Sequence, residues 1–408
     1  MITITIKAPQ YLYREDVMQY RNFGRLDFKV SALGFGAMRL PTKDGAIDET
    51  KATEMIHFAI DQGLNYIDTA YNYHRGESES FLGRALRGGY RDRVKLATKM
   101  PTWLVNDSSD FDKLLNTQLD RLQVDFVDFY LLHSLDARQW TKMRELGVRE
   151  WAEKAVAAGR FGHLCFSFHG SYEEFKQIVD DYDWPMCLIQ YNYMDVENQA
   201  GTKGLKYAAS KGMAVAIMEP LLGGKLASAP GPVQAIWDSA PRKRSAVGWA
   251  LHWLWNQPEV SVVLSGMSTM QQVKDNIEYA NESGVGSLTN EELALYDRVR
   301  EAYHALTAIA CTQCGYCMPC PQGVDIPRNF FVYNQAVMYD SPESGREEYE
   351  WWKRAHERDS SKADIRAAGC AQCRACEAKC PQSIQISKWM PVIHKALGEN
   401  GPLVKTLD

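Results

Sequence analysis

The sequence predicts an α/β protein with a (β/α)8 barrel over residues 21–306 and a mainly helical, cysteine-rich domain over residues 307–408. Three observations predict it. Eight short apolar runs alternate with longer amphipathic segments along the first part of the chain, the rhythm of such a barrel. The runs are continuous rather than alternating, as parallel strands covered on both faces are. Past Ala308 the composition shifts to Cys, Gly, Pro and Gln, and eight of the ten cysteines fall there in two short blocks. A doubly wound open sheet usually has fewer strands, and no G-x-G-x-x-G fingerprint follows the first run.

The elements follow in chain order. Residues 1–20 precede the barrel as an extension with no assigned element. The eight strand runs are Val30–Met38, Asn65–Ala70, Val94–Met100, Val127–His133, His163–His169, Cys187–Asn192, Ala214–Glu219 and Val260–Gly266. Between them, Thr50–Asp61 places Met55, Ile56, Ala59 and Ile60 on one helical stripe, with Gly63 as its stop. Ser108–Leu122 opens with N-cap residues, and Ser171–Val179 has Glu174 three residues after Ser171, the capping-box spacing. Ser245–Trp255, Thr269–Ala280 and Leu288–Leu306 complete the helices of the first domain, and Gly345–Lys362 is a charged helical stretch between the cysteine blocks.

Composition narrows the function classes. Lys+Arg 46 against Asp+Glu 51 gives a net charge of −5, which argues against a nucleic-acid or membrane-surface partner. No apolar run is long enough to suggest a membrane span. Met1–Gln10 lacks a secretory pattern, so a cytoplasmic location is expected. Clustered thiols point to metal rather than to disulfides.

The first cysteine block is C-x-x-C-x-x-C-x-x-C-P, with Cys311, Cys314, Cys317, Cys320 and Pro321. The second is C-x-x-C-x-x-C-x-x-x-C-P, with Cys370, Cys373, Cys376, Cys380 and Pro381. Three thiolates at steps of three can wrap one cubane, and the displaced fourth Cys-Pro ligates the other cluster in two-cluster ferredoxins. Structural zinc prefers two separated cysteine pairs, so iron–sulfur is the better fit. The region resembles the dicluster [4Fe–4S] ferredoxin-like family in its helical variety. That resemblance implies one cluster on Cys311, Cys314, Cys317 and Cys380, and the other on Cys370, Cys373, Cys376 and Cys320. Cys165 and Cys187 read as buried core thiols.

In the barrel, chemistry is expected at the C-terminal ends of strands. The second run ends in Asp68, with Tyr73 shortly after; the third ends in Lys99 and the fourth in His133. Together they suit proton transfer. Lys99 beside the phenol is expected to lower its pKa, Asp68 to hold Lys99, and His133 to orient a carbonyl oxygen. Trp103, Trp140 and Tyr193 lie just beyond strand ends and are candidates to line a pocket.

Over Arg21–Ala280 the chain resembles the aldo/keto reductase family. The motifs are Leu33-Gly34-Phe35-Gly36, Asp68-Thr69-Ala70 with Tyr73, Gly76-Glu77-Ser78-Glu79, Lys99, Tyr130-Leu131-Leu132-His133 and Ile189-Gln190-Tyr191-Asn192. The whole chain looks like the branch with a C-terminal dicluster iron–sulfur domain. The resemblance implies a TIM barrel and a catalytic tetrad of Asp68, Tyr73, Lys99 and His133. Tyr73 would give a proton to the carbonyl oxygen while a nicotinamide delivers hydride. It also implies nicotinamide contacts from Ser167, Gln190, Met218, Ser265, Gly266, Ser268, Gln272 and Asn276. The chain departs from the family's pattern at Phe168, at Met218-Glu219, and at Gly266 and Gln272, where cations for a 2′-phosphate are missing. NADH and NADPH therefore both stand as cofactors beside two [4Fe–4S] clusters.

These readings converge on an oxidoreductase acting on a small carbonyl or alcohol, with a ferredoxin-type electron partner for the clusters. The alternative is a redox-sensing protein whose barrel binds nucleotide while its clusters report redox state. The intact tetrad favours the enzyme.

Overall fold

Eight parallel strands close into a barrel in the computed structural model, which describes residues 18–361 and 363–407. They are β1 (Leu33–Gly36), β2 (Tyr66–Asp68), β3 (Lys95–Met100) and β4 (Val127–Leu135), then β5 (Phe161–Phe168), β6 (Met186–Gln190), β7 (Ala214–Met218) and β8 (Val262–Ser265). Each pairs with its sequence neighbour, and β8 returns to β1 through Val263 opposite Leu33. Every strand lies within or across one of the apolar runs, because both faces are buried: the outward residues under helices, the inward ones in the barrel interior.

The intervening helices are α1 (Glu49–Asp61), α2 (Glu77–Ala85), α3 (Ser109–Leu122), α4 (Ala137–Glu145), α5 (Val148–Ala157), α6 (Tyr172–Asp181) and α7 (Gly201–Ser210). After α8 (Gly231–Asp238) come α9 (Ala246–Trp255) and α10 (Met270–Asn281). The capping box at Ser171 and Glu174 is formed in both directions at the start of α6. Asp48 caps α1, accepting from the Lys51 N–H, so this helix begins just before the stripe of Met55, Ile56, Ala59 and Ile60.

One apolar run divides. Val30–Met38 reads as a single strand, but Leu26–Ser31 pairs antiparallel with Tyr20–Phe23, and only Leu33–Gly36 joins the barrel. The hairpin packs into the barrel interior: Phe23 and Val30 are fully buried with Tyr66, Phe129, Met186 and Val262. The Phe23 ring lies 5.1 Å from that of Phe129. Its turn residue Gly24 has φ +56, and a Cβ there would lie 2.3 Å from the Ala214 nitrogen, so only glycine fits. The strand ends that begin β2, β4, β6 and β7 are thereby plugged, leaving the opposite ends as the mouth. Of the extension read at 1–20, residues 1–17 lie outside the described residues.

The chain forms two compact units. The barrel belongs to the first, residues to Gly224 with Val247–Thr289. The second takes Lys225–Ala246 and everything from Asn290 onward. It contains α8, α11 (Asn290–Ala305), α12 (Ile326–Met338), α13 (Pro342–Arg358) and α14 (Ile386–Gly398). A core of Phe330, Tyr333, Tyr349, Trp352, Trp389 and Ile393 holds the last three together. Helix α11, which the sequence places at the end of the barrel domain, groups with this unit. It packs on α8 through Trp237 and Tyr296, 5.1 Å apart, and pairs Glu292 with Arg244 at 2.7 Å.

Candidate active site and cysteine cradles

Adjacent parallel strands bring Asp68, Lys99 and His133 to one mouth. In register, Asp68 lies opposite Ala97 and Lys99 opposite Leu131. The Lys99 ammonium is 1% exposed, and its three N–H groups have three acceptors: Asp68 Oδ1 at 2.5 Å, the Thr69 carbonyl at 2.7 Å and Tyr73 Oη at 3.2 Å. A buried cation persists only when so paired. Burial alone would push the ammonium down, but Asp68 and Tyr73 together hold it above its ordinary value. Burial raises the Asp68 carboxyl, while Lys99 pulls it back. Lys99 therefore keeps its proton through the neutral range.

The phenol of Tyr73 departs from expectation. Burial raises its pKa above the ordinary value, and this outweighs the lowering by Lys99. Asp68 and Glu219 add to the rise, since both place negative charge near the phenol. Tyr73 therefore stays protonated through the neutral range, the state a proton donor requires. His133 moves the opposite way, down to about 3, because it is buried and faces Lys99 and His169. It is a neutral imidazole. Its ring lies edge-on to Tyr73 at 6.2 Å, and its Nδ1 has no partner among the described residues.

Tyr73 sits on a tight loop. His74, Arg75 and Gly76 all have positive φ, and the His74 Nε2 accepts from the Leu40 N–H at 3.2 Å. A second network secures that loop from outside the barrel. Glu79 on α2 is fully buried; its carboxylate accepts from Thr98 Oγ1 at 2.6 Å, Gln118 Nε2 at 2.5 Å and Arg121 at 3.2 Å. Gln118 also donates to the Lys99 carbonyl at 3.0 Å, and Arg121 donates to the Tyr71 carbonyl at 3.2 Å. One carboxylate thus fixes the backbone beside both Lys99 and Tyr73. The Gly76–Glu79 motif contained Glu79, but nothing in sequence linked it to Gln118 and Arg121, three residues apart on α3.

The predicted nicotinamide contacts all lie toward the same mouth. Ser167, Gln190 and Met218 end β5, β6 and β7, with Gln190 opposite Met218. Ser167 Oγ accepts from the Ser134 N–H at 2.8 Å, which leaves its own hydroxyl proton for a ligand. Gln190 is engaged at both ends of its amide, donating to Asp195 at 2.6 Å and accepting from Asn198 at 3.2 Å. At the end of β8, buried Asn276 donates to Ser265 Oγ at 3.0 Å. Gly266, Ser268 and Gln272 are exposed before and within α10, and the Ser268 N–H donates to Gln272 Oε1 at 2.7 Å.

Of the aromatic candidates, Trp103 is at the site: its ring lies 5.2 Å from His133 and is 44% exposed. Trp140 does not line it. It is buried on α4, 5.1 Å from Trp184, and donates to Asp181. Tyr193 is fully buried and offers no exposed surface.

In the second unit the eight clustered cysteines form no disulfides and ring two cavities. Cys311, Cys314, Cys317 and Cys380 line one. Cys320, Cys370, Cys373 and Cys376 line the other, which shares Cys317 and Ile386 with the first. Helix α12 suspends both cysteine loops. Buried Asn334 accepts from the Ile309 N–H at 2.9 Å and donates to the Ile309 carbonyl at 2.6 Å, two residues before Cys311. Asn329 accepts from the Ala367 N–H at 2.9 Å and donates to the Ile365 carbonyl at 2.7 Å, just before Cys370. Cys165 and Cys187 are buried in the barrel wall, and burial raises both thiols.

Comparison with known proteins bears on this geometry. The model of the aldo/keto reductase family matches residues 32–301. The chain belongs to the aldo/keto reductase family. A 4Fe-4S dicluster domain matches residues 310–385, so the chain is an iron–sulfur oxidoreductase of this family. It is 26% identical over 301 residues to the uncharacterized oxidoreductase YqkF of Bacillus subtilis, covering 68% of this chain and 94% of that one. It is 26% identical over 316 residues to L-galactose dehydrogenase of Arabidopsis thaliana, covering 71% of this chain and 97% of that one. Among solved structures, the holo form of an aldo-keto reductase from Bacillus halodurans superposes with a TM-score of 0.59 at 26% identity, covering 69% of this chain and 96% of that one. An aldo-keto reductase from Klebsiella pneumoniae in complex with NADPH gives 0.57 at 25% identity, covering 70% and 95%. No helix among the described residues is long and apolar enough to cross a membrane.

The Glu79 network generates a stability prediction. Glu79→Ala leaves Arg121, Thr98 and Gln118 facing a buried gap, and breaking such a pair costs about 3–5 kcal/mol. Glu79→Gln keeps the shape and two of the bonds and should cost less. Urea unfolding of both variants checks the order; equal stability of Glu79→Ala and the parent would contradict the network's role.

Proposed function

We propose that the barrel interconverts a small carbonyl compound and its alcohol, with Tyr73 as proton donor and acceptor, and that the second unit carries two [4Fe–4S] clusters exchanging electrons with a ferredoxin-type partner. The observation that carries the first half is the Lys99 ammonium bonded to both Asp68 Oδ1 and Tyr73 Oη. Reducing a carbonyl places negative charge on its oxygen. A phenol that keeps its proton through neutral pH can transfer it there, and Lys99 stabilises the phenolate left behind. Neutral His133, its ring between Tyr73 and Trp103 at the same mouth, orients the oxygen. Trp103 forms an apolar side to the pocket and limits water.

A reduced nicotinamide supplies the hydride when bound. Residues present at the mouth suit it: Ser167 retains a donor, Gln190 holds a positioned amide, and half-buried Met218 packs against a flat ring. Ser265, Gly266, Ser268, Gln272 and Asn276 would receive its adenosine phosphate end, where the N-terminus of α10 favours an anion. The relative in complex with NADPH supports a nicotinamide dinucleotide. The absence of Lys and Arg between Gly266 and Gln272 leaves NADH equally served.

The thiols fit the clusters as two sets of four around adjacent cavities. We read Cys311, Cys314, Cys317 and Cys380 as one ligand set and Cys320, Cys370, Cys373 and Cys376 as the other. Each block then contributes its fourth cysteine to the opposite cluster.

Three measurements test this reading. Tyr73→Phe should lower carbonyl reduction about 10²–10⁴-fold while nucleotide binding and cluster absorbance persist. Retained reduction would remove Tyr73 from the mechanism and favour a nucleotide-binding redox sensor. The pH profile of reduction should show no His133 inflection between pH 5 and 9, because the imidazole is already neutral there. The Tyr73 limb should appear only on the alkaline side, above the ordinary phenol value, since a raised pKa preserves the acid form as pH climbs. Finally, Cys380→Ala should reduce iron from about eight to about four per chain. The cluster lost should be the one sharing Cys311; loss of the Cys370 cluster instead would reverse the pairing.

A further inference from the structure

The two cysteine cradles differ in charge. Apart from its cysteines, the cavity of Cys311, Cys314, Cys317 and Cys380 is lined by uncharged residues, among them Thr312, Pro327, Phe330 and Gln382. The cavity of Cys320, Cys370, Cys373 and Cys376 is lined by two cations, Arg374 and Lys379. Both lie between cysteines of the second block, so their place beside that cavity follows from the chain itself. Glu377 lies between them and carries the opposite charge. Its carboxylate is taken by the Ser387 N–H at 2.8 Å and the Ser387 hydroxyl at 2.6 Å, so it offsets the cations in part. On the other side, the Gln313 N–H donates to Cys311 Sγ at 3.4 Å, a dipole rather than a full charge.

Reduction adds one negative charge to a cluster. Net charge and hydrogen bonds around the sulfurs set its potential, and nearby cations favour the reduced form. We propose that the two clusters are electrically unequal, and that an electron entering this unit settles on the cluster held by Cys320, Cys370, Cys373 and Cys376. The inference rests on the reading that both cradles hold clusters. The reductant is the one-electron carrier of ferredoxin type named above. The step moves one electron, oxidising the carrier and reducing the cluster, with no bond made or broken and no proton transferred. The shared wall at Cys317 and Ile386 makes the cradles neighbours, so the electron can pass between them before it settles.

The test is an anaerobic redox titration of the full chain with both clusters loaded, poised with dithionite and followed by EPR. Two one-electron steps are expected. Arg374→Gln combined with Lys379→Gln should weaken reduction at the upper step about tenfold, a shift of about 59 mV for one electron, and leave the lower step in place. Gln382→Lys, an exposed change that adds a cation to the uncharged cradle, should instead raise the lower step. A charge-removing pair that moves the lower step, or neither step, overturns the assignment. One shared midpoint in a chain carrying about eight irons overturns the inequality while the dicluster reading stands. A chain that binds iron for a single cluster overturns that reading itself, and the inference with it.

Discussion

The site depends on keeping one cation out of water. Lys99 is nearly inaccessible, and an unpaired ammonium there would cost far more than the fold can supply. Its three partners all come from β2 and the loop after it: a carboxylate, a backbone carbonyl and a phenol. Satisfying Lys99 therefore fixes the spacing of β2 and β3 and the path of the loop. It also fixes where the Tyr73 oxygen stands. The three positive-φ residues after Tyr73 hold that path in a conformation that the surroundings must over-determine. Glu79 does so from behind, through Gln118 to the Lys99 carbonyl and through Arg121 to the Tyr71 carbonyl.

Burial then divides the proton-carrying groups by sign. The same desolvation raises the phenol of Tyr73 and lowers the imidazole of His133, because it penalises the charged form of each. Both groups end neutral at neutral pH, the phenol with its proton and the imidazole without charge. The hairpin of Tyr20–Phe23 and Leu26–Ser31 fills the far end of the barrel with Phe23 and Val30. The end where these groups converge is thereby the one left unplugged.

The second unit solves a different problem with similar economy. Cysteine loops have little core of their own, yet eight sulfurs must be placed around two adjacent cavities. Two asparagines on α12 bind the backbone leading into each loop, and the helix is fixed by Phe330, Tyr333 and Val337 packed against α13 and α14. Buried amides satisfied at both ends set the approach of each loop more firmly than apolar contacts alone.

Much of this was legible in the residues. Continuous apolar runs at barrel rhythm, strand ends bearing Asp68, Lys99 and His133, and cysteine spacing all express local chemistry, and local chemistry is written in order along the chain. The division of Val30–Met38 was not legible, because an apolar run looks the same whether it serves one strand or turns at Ala32 to serve two. Nor was the direction of the Tyr73 shift. Adjacency to Lys99 predicted a fall, and only burial, a property of everything packed around the ring, made it a rise. Glu79 paired with Arg121, and Trp140 turned outward onto Trp184, likewise arise from residues distant in sequence. The sequence by itself determined the kinds of groups and their order. The tertiary structure decided which of them are desolvated and which face each other, because dielectric and distance exist only once the chain has closed on itself.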